Sequence, residues 1–174
     1  MELHQYELHV FGVNLGSASE RDRRSMRLSQ REVRQLLHSM AAAEPTLEAV
    51  IVRARNHVEA FVLAPAGTNA VRPWVAHLRR QRPDLLHPQQ RSYHYHLAGE
   101  AAESHLTRLA TGTYAPSEAG DTVSEGIKAA LGLAARCGTL GRALDHLFLR
   151  ALALSLRNNH PTSLDPLAPM ALSR

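Results

Sequence analysis

The stretch LEAVIVRARNHVEAFVLA, residues 47–64, holds two β-branched apolar runs, Leu47–Ala54 and Val58–Ala64, on either side of Arg55, Asn56 and His57. Runs of that length and composition read as strands, joined as a hairpin or by a tight turn. The break between them gathers two guanidiniums (Arg53 and Arg55), an amide and an imidazole at one end of a strand pair. Such a group can hold a carboxylate, a phosphate or a carbonyl, and it can equally be a polar turn.

Upstream, residues 6–14 alternate, with Leu8 and Val10 on one side and His9 and Phe11 on the other, which predicts a partly buried strand. The charged run from Glu20 to Arg24 reads as a solvated surface. Ser29 and Glu32 have capping-box spacing and open a helix over 30–42, with Val33, Leu36, Leu37 and Met40 on its apolar stripe. Pro45 follows its end.

Downstream, Pro73 fits the first turn of a helix that Arg79, Arg80 and Arg82 close against its dipole. Residues 92–97 (SYHYHL) predict another strand. From Gly99 a helix carries Ala102, His105, Leu106 and Leu109 on one stripe, so a buried imidazole there needs a partner. Thr122 and Glu125 suggest a second capping box for a helix ending at Gly138. Thr139 is expected to cap a last helix whose near-continuous apolar stretch, Leu147 to Leu156, is either deeply packed or contacts a second copy or partner protein. The order is β-α-β-β-α-β followed by three helices: an α+β domain with a small, mainly antiparallel sheet and packed helices. The expected division is a domain over 1–160 and a flexible tail over 161–174.

The whole chain has 174 residues, 44% of them hydrophobic, which suits one domain with its own core. A net charge of +4 permits a polyanionic partner without requiring one. The single cysteine, Cys137, excludes an internal disulfide and any cysteine-based zinc knot. It reads as a filled helix position before Gly138. His94 and His96 share one strand face, where surface histidines are the plainer reading and a shared metal the sharper one. With no long apolar run and no basic-then-apolar leader, the expected compartment is the cytoplasm.

Several segments, in order, resemble the N-terminal, catalytic domain of glutamyl-tRNA reductase. FGVN, residues 11–14, is similar to that family's first-strand signature, and AVIVRARNHVEAFVL, 49–63, to its S-T-C-N-R-x-E strand, with Asn56 and Glu59 at the motif's Asn and Glu. SHLTRLATG, 104–112, resembles H-L-F/M-R-V-A-x-G and puts His105 on the family's histidine. Residues 126–152 resemble its paired helices. Asn14, Arg23 and Arg108 also match family positions. The resemblance implies the family's N-terminal fold and places His105, Asn14, Arg23 and Arg108 on family positions; with the polar break after Ala54 it leads to an expected site in which Arg55, His57 and His105 are the catalytic groups and Asn14, Asn56, Arg23 and Arg108 bind substrate.

The departures fall at that site. The family's thioester-forming cysteine falls on Arg55, which cannot form an acyl intermediate. Its substrate-holding arginine becomes His57, and its histidine after the first Asn becomes Leu15. Two further segments are replaced, at residues 113–115 and 119–122. The resemblance also stops before the family's nicotinamide-binding and dimerisation parts. These departures lead to the expectation of an aminoacyl-tRNA-dependent transferase rather than a nicotinamide-dependent reductase. In that scheme the aminoacyl group passes to a small amine or hydroxylamine acceptor, with no cofactor. The alternative is a non-catalytic regulatory protein that binds tRNA or haem, with His94, His96 and His105 as candidate axial ligands.

Overall fold

A computed structural model describes residues 5–14, 19–53, 57–68, 70–86, 93–112 and 120–159. The described strands are β1 (Tyr6–Asn14), β2 (Glu48–Arg53), β3 (His57–Pro65) and β4 (His94–Ala98). They form one sheet in the order β2-β3-β1-β4, with every neighbouring pair antiparallel. β2 and β3 are the expected hairpin, in the register Arg53 opposite Val58 and Glu48 opposite Leu63.

The described helices are α1 (Glu20–Met26), α2 (Gln30–Ala43), α3 (Val71–Gln81), α4 (Glu100–Ala110), α5 (Gly120–Cys137) and α6 (Arg142–Asn159). α2 starts at the capping box: Ser29 Oγ accepts from Glu32 N, and Glu32 accepts from Ser29 N. The charged run expected as plain surface is the short helix α1, capped by Ser19 and carrying an exposed Arg24–Glu20 pair. Its charges stay in water, so apolar periodicity gave no sign of it.

Helices cover both faces of the sheet. On one side Trp74 of α3 stacks on Phe11 of β1 at 5.9 Å, and α2 packs on α3 and β2. Ser39 of α2 meets His77 of α3 at 2.7 Å. On the other side Phe148 of α6 meets Phe61 of β3 edge-on at 5.1 Å, beside His105 of α4. α4 therefore lies opposite α2 and α3 rather than beside them, because the sheet buries apolar side chains at both parities. Leu8, Val10 and Phe61 point one way, and Phe11, Ala60 and Val62 the other, all nearly inaccessible.

α5 lies along edge strand β2, and the chain after it completes the cover: Ala49 N donates to Thr139 O. Gly138, at φ 72°, reverses the chain, with Gly138 N bonded to Ala135 O and Thr139 N to Ala134 O. Thr139 thus closes α5 instead of capping α6. The start of α6 is held by Glu48 of β2, whose Oε2 accepts from Leu144 N at 2.6 Å. α5 also begins at Gly120, two residues before the expected capping position. Leu147, Phe148 and Ala151 of α6 are buried, whereas Leu149, Leu154 and Leu156 face outward. The expected tail falls in residues 160–174, outside the described residues. No helix among the described residues is long and apolar enough to cross a membrane.

Candidate functional site

Gly12 of β1 is paired with Glu59 of β3 on one side and Tyr95 of β4 on the other, so the three positions share a face at the centre of the sheet. Gly12 is there for close approach: a Cβ on it would overlap the Tyr95 ring. Tyr95 lies across β1 through that gap, and its hydroxyl donates to Glu59 Oε1 at 2.5 Å. His105, two turns into α4 on the stripe that faces the sheet, brings Nε2 to 3.0 Å from the same oxygen.

Glu59 is fully inaccessible and His105 is 1% exposed. A carboxylate without water depends on its donors, and hydrogen bonds to a charged group contribute about 1.5–3 kcal/mol each. Both donors converge on Oε1, while Oε2 has no partner among the described residues. The Phe61 ring flanks His105 at 6.4 Å. The arrangement holds an imidazole and a phenol at the centre of the sheet, one residue from the Arg53–Val58 pair that ends the β2–β3 ladder.

The expected site residues divide around this network. Asn14 and His57 face each other across the β1–β3 ladder, two residues from the Gly12–Glu59 pair, so their backbones stand at the same end of the sheet. Arg55 and Asn56 lie outside the described residues, as do the side chains of Asn14, His57 and Arg23. Arg23 belongs to α1, whose packing partner is the turn after α3 (Pro83–Leu86). Arg108 is exposed one turn beyond His105 on α4. Tyr95 was not among the expected residues, and Glu59 was noted only as a motif match. Two signals marked them: a glycine inside a strand, and a carboxylate inside an apolar run.

The other candidates are placed elsewhere. His94 and His96 project from the face opposite His105, so the three cannot serve one planar cofactor. His96 Nε2 meets His9 Nδ1 at 3.2 Å, and among the described residues no three His, Cys, Asp or Glu gather as a metal site. Arg82 is consumed inside the protein by Glu32, Asp84 and the carbonyls of Ser25 and Arg27. Cys137 is buried at the end of α5, and burial pushes its thiol above the ordinary range against the pull of Arg34 and Arg136. It adjoins Thr139, which bonds Ala49, whereas the turn follows Arg53; four strand residues put these ends about 13 Å apart.

A family model described as "Glutamyl-tRNAGlu reductase, N-terminal domain" matches residues 11–162. Among curated relatives, glutamyl-tRNA reductase of Geobacillus thermodenitrificans is 26% identical over 161 residues, covering 91% of this chain and 34% of the relative. That of Nitrosomonas europaea is 29% identical over 144 residues, covering 83% of this chain and 33% of the relative. The solved glutamyl-tRNA reductase from Methanopyrus kandleri has the same fold over 92% of this chain and 36% of that one, with a TM-score of 0.65 and 22% identity. The chain thus spans about a third of the length of the curated relatives it matches.

These findings overturn the expectation of aminoacyl transfer to a small amine or hydroxylamine and the transferase class with it. The curated relatives are reductases, and nothing in them points to such an acceptor. Of the two histidines expected as catalytic groups, His105 is inaccessible and bonded to Glu59, and the side chain of His57 lies outside the described residues.

Proposed function

The chain belongs to the glutamyl-tRNA reductase N-terminal domain family, and from that premise we propose that it binds glutamyl-tRNA without forming a thioester on its own side chains. The observation that carries this reading is the joint state of network and thiol. Glu59, His105 and Tyr95 are assembled next to the end of the β2–β3 ladder, yet the position matched to the family's cysteine is Arg55 and the chain's one thiol is buried at the end of α5. A guanidinium in that position favours holding a carboxylate or phosphate through charge-assisted bonds, and it excludes acylation there. The network then acts as a fixed floor for the charged 3′ end.

The test is fluorescence anisotropy with charged and uncharged tRNA, followed by gel analysis for labelled glutamate on the protein. Tighter binding of the glutamyl form, with no hydroxylamine-sensitive label on the chain, supports the reading. Equal binding of charged, uncharged and non-cognate tRNA refutes it, as does a covalent glutamyl adduct. Arg55→Ala should weaken binding of the charged form about tenfold or more, the scale of one lost charge-assisted contact.

A further inference from the structure

The face of the sheet opposite Glu59 carries a second feature that the family's chemistry does not use. Between β1, β4 and α3 lies a cavity of about 400 Å³, lined mainly by apolar side chains and within the range of small-molecule sites. Its walls include Phe11, Trp74, Leu78 and His96. The Phe11 and His96 rings are parallel within 4° at 4.7 Å, and Trp74 stacks on Phe11 at 5.9 Å. Parallel rings bordering a cavity offer flat π-surfaces to a flat guest.

Two polar groups give the cavity direction. His94 lines it, and its Nε2 is buried without a partner among the described residues. The ring is held neutral by burial, opposed by the Leu85 carbonyl. With Nε2 the unpartnered nitrogen, the N–H facing that carbonyl is on Nδ1, so Nε2 presents a lone pair. An orphaned acceptor in a buried wall costs about 1–3 kcal/mol unless a donor meets it. Arg79 of α3 also lines the cavity and is otherwise exposed, a cation available to an acidic group at the mouth.

We propose that this cavity binds a flat aromatic acid of one or two rings, carrying a hydroxyl or N–H that donates to His94 Nε2 and a carboxylate that meets Arg79. The assignment is independent of glutamyl-tRNA binding, because alternate residues of the same strands point to the two faces. Trp74, the one tryptophan of the chain, is a built-in reporter.

The experiment titrates the full chain with 6-hydroxy-2-naphthoate and with 2-naphthoate, its twin lacking the donor, by calorimetry and Trp74 fluorescence. The hydroxylated probe should bind at submillimolar concentration, quench Trp74 and exceed its twin by about three- to tenfold, the scale of one hydrogen bond. His94→Phe should bring the two probes to equal affinity. Arg79→Ala should weaken both. Failure of the hydroxylated probe to bind at millimolar concentration overturns the proposal. Equal affinities for the unmodified chain overturn it too, a comparison that needs no variant to fold. Decanoate binding as tightly as the hydroxylated aromatic would mean a lipid site and would also overturn it.

Discussion

On one face of the sheet a carboxylate with no exposure sits between an imidazole and a phenol. On the other, rings of Trp74, Phe11, His96 and His9 stack in series from the buried Trp74 to the exposed His96, beside an open cavity. Both faces are made by the same strands, one parity apart: Glu59 and Phe61 look one way from β3, Ala60 and Val62 the other. On the polar face two side chains converge on one carboxylate oxygen, so the geometry there is held by hydrogen bonds. The apolar face is held by area and ring contact, which tolerate a void. The glutamyl-tRNA binding proposed for the first face therefore does not compete with a ligand proposed for the second.

The contrast is broken most directly at Glu59. Glu59→Ala leaves His105 Nε2 and the Tyr95 hydroxyl without their shared acceptor and should cost about 3–5 kcal/mol in denaturant unfolding. Val62→Ala, inaccessible on the other face of the same strand, should cost about 2 kcal/mol, the transfer and cavity price of two methyl groups. Glu59→Gln retains an oxygen for both donors and should lose less than half of what alanine loses. Equal losses for Glu59→Ala and Val62→Ala would remove the distinction between a hydrogen-bonded face and a packed one.

Gly12 sharpens the comparison by a smaller amount. Gly12→Ala drives a methyl into the Tyr95 ring and should destabilise by about 1–3 kcal/mol while displacing the phenol from Glu59. In a Tyr95→Ala background the same substitution should cost almost nothing, since the clash has gone. A double-mutant cycle reads this coupling; additivity of the two changes would show that the ring does not depend on the glycine.

Much of the architecture was legible because it rests on local chemistry. The hairpin of β2 and β3, the capping box of α2 and the Gly138 stop of α5 are each specified by a few adjacent residues. What was not legible depends on partners far along the chain. Glu48 caps α6 from 96 residues away, and Thr139 looks like an N-cap until its bond to Ala134 is known. α4 lies across the sheet from α2 and α3, and strands buried on both sides give no parity that would have placed it there. His105 was readable as a buried imidazole in need of a partner. That the partner is Glu59, reached past Gly12 with Tyr95, follows from strand register, which no local pattern specifies. The transferase expectation rested on departures from the family's pattern, the thiol lost at Arg55 first among them, and an absent group does not name a replacement reaction.

The smallest expected effect lies in acid, and it is expected from the histidines of the apolar side. His9, His94 and His77 all belong to the apolar side, the first two on the sheet and the third on α3. Burial lowers the pKa of each. For His9 the lowering is opposed by Glu7 and aided by His96; for His77 it is aided by Arg80 and opposed by Glu44. A histidine with a depressed folded pKa binds fewer protons folded than unfolded, so acid favours unfolding. Its stabilisation is complete above the unfolded value near 6.5 and is lost as pH falls through the folded value. Between pH 7 and 6 each such group can cost at most about 0.7 kcal/mol, half a proton's worth of linkage. Stability measured by urea unfolding should therefore fall over that interval, and His94→Phe should flatten the decline by no more than one group's share. Glu59→Gln should leave the slope unchanged if the acid response belongs to the apolar side. A variant slope that flattens with Glu59→Gln and not with His94→Phe would move the acid sensitivity to the buried carboxylate and invert the comparison.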